Sequence, residues 1–359
     1  MNLALAIRGN FVQLAIKSSA VKGKENDVLE NLELPLDIPD REVSERDDIS
    51  KLYRDVLQYR DGVKFKQLLD FCVRFRKLSA FNGALLMAQR PGCRYALTSY
   101  RWARDYNRLV KTDACPLVIL CPFGPVGFLF DLGDTVPKPG YPDQIPPDLT
   151  RNFKFEQTVD PWLFKQVVEN LAYWGILYGE MTTGQGYYGK LQVWQEQDGR
   201  LAFPKDKRFR VPDTWKPAYT IKVRNGTEQT NAFGTILHEM GHLTCRHIHC
   251  SYEKPWGKKF ARTNLSHEQE EFEAQTVSWL VGHRIGLDIP STYGYLAEYL
   301  GKDKDLPDVD LSVVLQATNE VEKLLHPCTV KDGWLWKYSP SLQETFKRLN
   351  PQKAKEKTT

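Results

Sequence analysis

The sequence predicts an α+β fold in two domains, and three observations carry that expectation. Apolar residues recur at helical spacing in four stretches, 64–78, 80–90, 232–246 and 267–285. Short runs bounded by Pro or Gly, "CPLVILCP" and "VGFLFDL", and the alternating "AYTIKV" (218–223) read as strands. Between the two groups, "TVPKPGYPDQIPPDL" carries Pro137, Pro139, Pro142, Pro146 and Pro147, which forbid regular structure and stiffen a connector. A chain of 359 residues can build a sizeable core on each side of it. The expected layout is an acidic leader over 1–49, a basic domain over 50–135 and a Pro-rich linker over 136–150. A second α+β domain follows over 151–300, then a C-terminal extension with a basic tail over 301–359.

A hydrophobic share of 42% with 26% charged residues reads as globular and soluble. No apolar run approaches the roughly eighteen residues that would span a bilayer, which argues against a membrane. The opening "MNLALAIRGNFVQLAIK" has a five-residue apolar run broken by Arg8, too short for a signal-peptide core. Seven cysteines at irregular spacing argue against a disulfide framework and for a reducing compartment, so the expected location is cytoplasmic.

The net charge of +4 hides an asymmetry. Residues 25–50 carry ten acids against two arginines, whereas residues 51–111 carry fourteen Lys or Arg against Asp55, Asp61, Asp70 and Asp105. Such a basic block points to a polyanion, and nucleic acid is the usual one. Aromatic residues interleave with these cations: Tyr53, Tyr59, Phe65, Phe71, Phe75, Phe81, Tyr95, Tyr100, Trp102 and Tyr106. Cations along a groove neutralise phosphates, while aromatic faces stack on unpaired bases at about 1–3 kcal/mol each. Phe65, Phe71 and Phe75 fall at helical spacing and read as core. Tyr100, Trp102 and Tyr106, set among Arg101, Arg104 and Arg108, read as candidates for exposed stacking. The blander alternative is a solvated basic face.

In the second domain, "TILHEMGHLTCRHIHC" (235–250) packs four histidines, two cysteines and one glutamate into sixteen residues. His238 and His242, at i and i+4, lie one above the other on a helical face. Phe233, Ile236, Leu237, Met240 and Leu243 form the apolar stripe that fixes that helix against a core. Glu239 is rotated about 100° from His238; it is poorly placed to ligate the same ion but can reach a water bound to it. Two ligands, an adjacent base and an open coordination position are what a zinc hydrolase needs. A third ligand is sought in "SHEQEEFEAQTVSWLVGHRIGL". Glu271, Ala274, Ser278 and Gly282 form one stripe there, mostly of small residues that admit a second helix closely. Glu270 shares part of that stripe and Glu273 projects toward Thr276, Val277 and Leu280, so periodicity favours Glu271 or Glu270. A second site at Cys245, His247, His249 and Cys250 would need a matching ligand pair from another segment, and none is visible. The thiols read as buried or loop-packed, and the two histidines as surface residues.

His-Glu-x-Gly-His, followed about thirty residues later by Glu-x-x-Ala on a helix, resembles the ImmA/IrrE-type zinc metallopeptidases. More specifically it resembles the metallopeptidase domain of ArdC-type antirestriction proteins. The resemblance implies a zincin-like domain over 151–300, a Zn2+ cofactor and a protein or peptide substrate. It assigns His238, His242 and Glu271 as metal ligands and Glu239 as general base. The family's Asn or Glu after the alanine is Gln275 here, which leaves the ligands intact and changes what supports them. His267, four residues before Glu271, stands where the pattern tends to have a tyrosine, and is a candidate ring donor to the oxyanion formed as water attacks. Its alternatives are a solvent-exposed histidine or a ligand that closes the resting site.

Upstream, "LSAFNGALLMAQRPGCRYALTSYRWARDYNRLVK…VILCP…GFLFDLGDT" is similar to the single-stranded-DNA-binding domain of ArdC-like proteins, through Ser79, Asn82, Gln89, Pro91, Trp102, Phe130, Asp131 and Thr135. The family's Gly-Glu-Lys turn is replaced by "TDACP". Residues 50–300 are covered. Two functions follow as expectations: a zinc metalloendopeptidase with an appended single-stranded-DNA-binding domain, or a non-enzymatic antirestriction protein that coats DNA and uses zinc structurally. The expected DNA contacts are Tyr100, Arg101, Trp102, Arg104 and Arg108.

Overall fold

Asp61 opens the first described helix of the computed structural model, which describes residues 61–121, 124–143, 154–182, 188–199, 217–248, 261–302 and 304–328. The acidic leader, Tyr53, Tyr59, Pro146, Pro147, His249, Cys250 and the basic tail lie outside the described residues. The chain divides into two compact units, Met1–Lys154 with Tyr299–Leu306, and Phe155–Glu298 with Pro307–Thr359. Both combine helices and strands, the expected α+β class.

In the first unit the Asp61 carboxylate accepts the Val63 and Lys64 N–H groups at 2.7 and 3.3 Å, capping α1 (Gly62–Arg74). Gly62 is required there because a Cβ would fall 2.1 Å from the Tyr299 carbonyl oxygen, where residues 299–306 return against the helix. Ser79 caps α2 (Ala80–Gln89) through its hydroxyl. Then come β1 (Ala96–Leu97), α3 (Ser99–Asp105), β2 (Arg108–Val110), β3 (Leu117–Cys121), β4 (Gly124–Asp131) and β5 (Thr135–Pro137). One antiparallel sheet has the order β1-β4-β3, and β2 pairs with β5. Phe65, Phe71 and Phe75 are buried, as the helical spacing implies. Val136 and Pro137, placed by sequence in the linker, instead pair with β2. A two-stranded ribbon tolerates proline at its end, where no further ladder bond is needed.

Asn82 and Gln89 stand two turns apart on α2 and close the outer edge of β3. The Asn82 amide donates to Leu120 O and accepts from Leu120 N at 3.1 and 2.9 Å. Gln89 does the same for Val118, with both bonds at 2.8 Å. Side-chain amides thus satisfy backbone groups that a sheet edge would leave open.

In the second unit Asp160 and Pro161 start α4 (Pro161–Tyr173). The sheet contains β6 (Ile176–Met181), β7 (Gly189–Val193) and β8 (Tyr219–Arg224) in the order β6-β8-β7, with β6 parallel and β7 antiparallel to β8. Against it packs α5 (Gln229–Thr244), and α6 (His267–Ile285) and α7 (Leu311–Glu322) pack on α5 and on each other. A Ser266–Gln269 capping box begins α6, and Gly286 at φ 88° ends it in the left-handed region. Residues 307–328, read from sequence as an extension, belong to this core: Val313, Val314, Ala317 and Val321 of α7 are buried in it. No described helix is long and apolar enough to cross a membrane.

Candidate metal centre

Phe233, Ile236, Leu237, Met240 and Leu243 are fully buried, so the predicted stripe anchors α5 and fixes the face carrying the two histidines. Gly241 lets α6 come up against that face: a Cβ there would sit 2.7 Å from the Ala274 carbonyl oxygen and 2.9 Å from its Cα. Glu271 lies one turn before Ala274 and is thereby delivered to the histidines. His238 Nε2 and His242 Nε2 are 3.1 Å apart, and each is 3.3 Å from a Glu271 oxygen. Zinc bonds of about 2.0–2.1 Å in tetrahedral array imply ligand–ligand edges of about 3.3–3.4 Å. The Glu271 carboxylate meets His238 through Oε2 and His242 through Oε1, so each of these contacts is close to a tetrahedral edge, and the donor set of two imidazoles and a carboxylate suits zinc.

The electrostatics agree with a cation site. Burial pushes the Glu271 carboxyl up, but hydrogen bonds to His238 and His242 outweigh it and hold the group well below the usual carboxylate range. Burial lowers His242 to about 4 against the opposing pull of Glu271, so the ring is neutral at pH 7, the state a ligand needs.

Glu239 is buried beside this face, and burial raises its carboxyl while His238 and the Leu191 N–H pull the other way. The Leu191 N–H on β7 donates to Glu239 Oε2 at 2.8 Å. Two residues earlier β7 passes so close to α5 that a Cβ on Gly189 would meet Thr235 Cγ2 at 2.2 Å and Glu239 Oε1 at 3.3 Å. Sequence reasoning missed this backbone partner; the short, half-buried β7 carries little periodic signal.

Periodicity left Glu270 and Glu271 open, and the structure turns Glu271 to the histidines. Glu273 faces away, fully buried on Arg262, His247 and the Asp310 N–H. Gln275 does not reach the ligands; its Oε1 accepts the Leu296 N–H at 3.3 Å and braces the turn beside Gly294. The His267 side chain is 76% exposed, with Nδ1 3.9 Å from Glu271 Oε1, beyond hydrogen-bond length. Its place fits an exposed helix-start histidine better than a donor acting in a water-excluded pocket.

His247 corrects the surface reading: its side chain is 2% exposed, and it groups with Cys245 and Glu273. Cys245 is buried as expected, and burial raises its thiol well above the ordinary value, the opposite of what a thiolate ligand needs.

Two of the five residues expected to touch DNA are corrected as well. Trp102 is 0% exposed and donates Nε1–H to the Phe130 carbonyl at 2.8 Å, leaving no face for a base. It occupies the inner side of α3, a seven-residue helix too short for its periodicity to separate core from surface. Arg108 is buried too, its guanidinium spent on Thr135 and Asp143. Tyr100 is 54% exposed with the Arg104 guanidinium 5.0 Å from its ring centre. Arg101 and Arg104 both bond Asp105, at 3.2 and 2.5 Å. Several residues carrying the upstream resemblance build the fold: Ser79 caps, Asn82 and Gln89 close a sheet edge, and Asp131 accepts the Arg94 and Tyr95 N–H groups.

Among known proteins, no family model, no curated protein and no solved structure matches the chain.

Proposed function

We propose that the chain is a zinc-dependent metallopeptidase of the ImmA/IrrE-like, zincin-like kind. The observation that carries this reading is the convergence of His238, His242 and Glu271 to zinc-ligand spacing with the Glu239 carboxylate alongside. Those three residues would hold the ion. Zinc there supplies Lewis acidity and makes water a nucleophile near neutral pH. Glu239 takes the proton from the attacking water and delivers it to the departing amine. Its raised carboxyl is suited to both halves of that exchange. The Leu191 N–H holds Oε2 and so orients the Glu239 carboxylate beside the two histidines. Three protein ligands, all partly exposed, favour a working site over a closed structural one. Among the described strands β7 is a sheet edge running past Glu239, and an edge of that kind offers ladder hydrogen bonds to an extended peptide.

For the basic block over 51–111 we propose single-stranded DNA as ligand, on the strength of its cations other than the buried Arg108 and of the exposed Tyr100–Arg104 pair. That pair also supports the second reading, an ArdC-like DNA-coating protein in which zinc is structural. The two separate in one experiment. Zinc-loaded wild type and Glu239→Gln are incubated with a broad peptide mixture, and new termini are read by mass spectrometry. The metallopeptidase reading expects cleavage by wild type only, with one zinc in both proteins. Equal cleavage by the two, or loss of zinc from Glu239→Gln, overturns it.

A further inference from the structure

The hydrogen bonds around His242 form a chain leading away from the metal ligands. His242 turns Nε2 toward His238 and Glu271, and its Nδ1 lies 3.0 Å from Nδ1 of His247. On the far side of that ring, His247 Nε2 is 2.9 Å from Glu273 Oε2, and Arg262 engages both oxygens of the carboxylate.

The protons on this chain can be placed. An imidazole that offers Nε2 to a metal carries its hydrogen on Nδ1. Where two ring nitrogens face each other, only one can hold the hydrogen between them. His242 therefore donates, His247 Nδ1 accepts, and the His247 hydrogen sits on Nε2, pointed at Glu273. Arg262 engages both Glu273 oxygens, so the carboxylate that accepts from His247 is itself held in place. The backbone is arranged to the same end. Helix α5 closes in a Schellman turn, with Arg246 N bonded to Leu243 O at 3.1 Å and His247 N to His242 O at 2.9 Å. Arg246 occupies the left-handed position at φ 65°, where glycine is usual. That turn folds His247 back onto the helix that carries the ligand.

We propose that His247, oriented by Glu273 and Arg262, is a positioning residue that fixes the tautomer and ring orientation of the metal ligand His242. The proposal rests on a metal held by His238, His242 and Glu271. A second ion on Cys245, His247 and Glu273 is the competing use of the same residues, but it would have to displace the Arg262 guanidinium from Glu273.

The test uses the full chain, 15N-labelled and loaded with zinc, with ring-nitrogen NMR assigned through His247→Gln. The expected spectrum shows hydrogen on Nδ1 of His242, and on Nε2 but not Nδ1 of His247. Chelator competition adds the functional readout. His247→Leu should bind zinc on the order of 10–100-fold more weakly, while His247→Gln, whose amide oxygen can accept from His242, should stay within a few-fold of wild type. Hydrogen on Nδ1 of His247, or on both its nitrogens, overturns the proposal, and so does unchanged zinc affinity in His247→Leu. Loss of a second equivalent of zinc on that substitution assigns the group to a metal and overturns it too. Should His247→Leu fail to fold, the spectrum of the unsubstituted chain decides. A wild-type chain that binds no zinc overturns the metallopeptidase reading along with this proposal; bound zinc with the other tautomer overturns this proposal alone.

Discussion

Replacing Gly241 with alanine adds one methyl group at the place where the two helices carrying the proposed ligands touch. The new Cβ would lie 2.7 Å from Ala274 O, 2.9 Å from Ala274 Cα and 3.2 Å from its carbonyl carbon. All three are backbone atoms, so no rotamer change relieves the contact. Restoring an ordinary separation of 3.4 Å requires the helices to part by 3.4 − 2.7, about 0.7 Å. Overpacking of this kind costs about 1–3 kcal/mol, offset by the helix propensity that alanine gains over glycine, about 0.8–1.0 kcal/mol. The net loss of roughly 0–2 kcal/mol leaves the apo protein folded. Metal binding suffers more, because ligand distances tolerate about 0.2 Å and Glu271 moves with α6 by several times that. Zinc affinity should fall on the order of 10–100-fold, read by chelator competition alongside urea unfolding of the apo form. A Gly241→Ala protein stabilised by about 1 kcal/mol with unchanged zinc affinity would refute the claim that close helix approach delivers the third ligand.

Other expectations concern charge. Asp198 is almost fully buried with Lys222 Nζ at 2.6 Å and the Gln195 N–H at 3.0 Å. Burial raises its carboxyl, but the bonds to Lys222, Gln195 and Gln192 prevail and hold it below the ordinary value. Its stabilising effect is therefore complete above the unfolded value of about 3.9 and is lost as pH falls through the lower folded value. Asp198→Asn should cost about 1.5–3 kcal/mol at pH 7 by urea unfolding, with the gap closing below about pH 4; a gap independent of pH contradicts the assignment. Charge reversal at Arg101 and Arg104 should weaken binding of single-stranded DNA by the full chain and flatten its salt dependence. Unchanged affinity at low salt would leave this part of the basic block as a solvated face.

The parts of the centre that follow a period were legible in the sequence. The apolar stripe of α5 puts His238 and His242 on one face, and the small residues of α6 allow the approach at Ala274. The span 267–285 was read from the same periodicity, and the Ser266–Gln269 capping box and Gly286 that close α6 at those bounds carry no period. What escaped has no period. His247 reaches His242 through a turn whose left-handed position holds Arg246 rather than glycine, so nothing marks it. Glu239 is held by a backbone N–H of a distant strand, and backbone groups leave no trace in residue identity. Trp102 and Arg108 read as surface because an aromatic among cations looks the same whether it faces a base or the core. Only burial tells them apart.

The central claim is that His238, His242 and Glu271 hold one zinc, and zinc content of purified wild type and Glu271→Ala tests it most directly. Two imidazoles alone hold zinc weakly, so the account predicts one zinc per wild-type chain and far less than one in Glu271→Ala, with the helical content of both unchanged. Full occupancy in Glu271→Ala would contradict it and move the third ligand elsewhere.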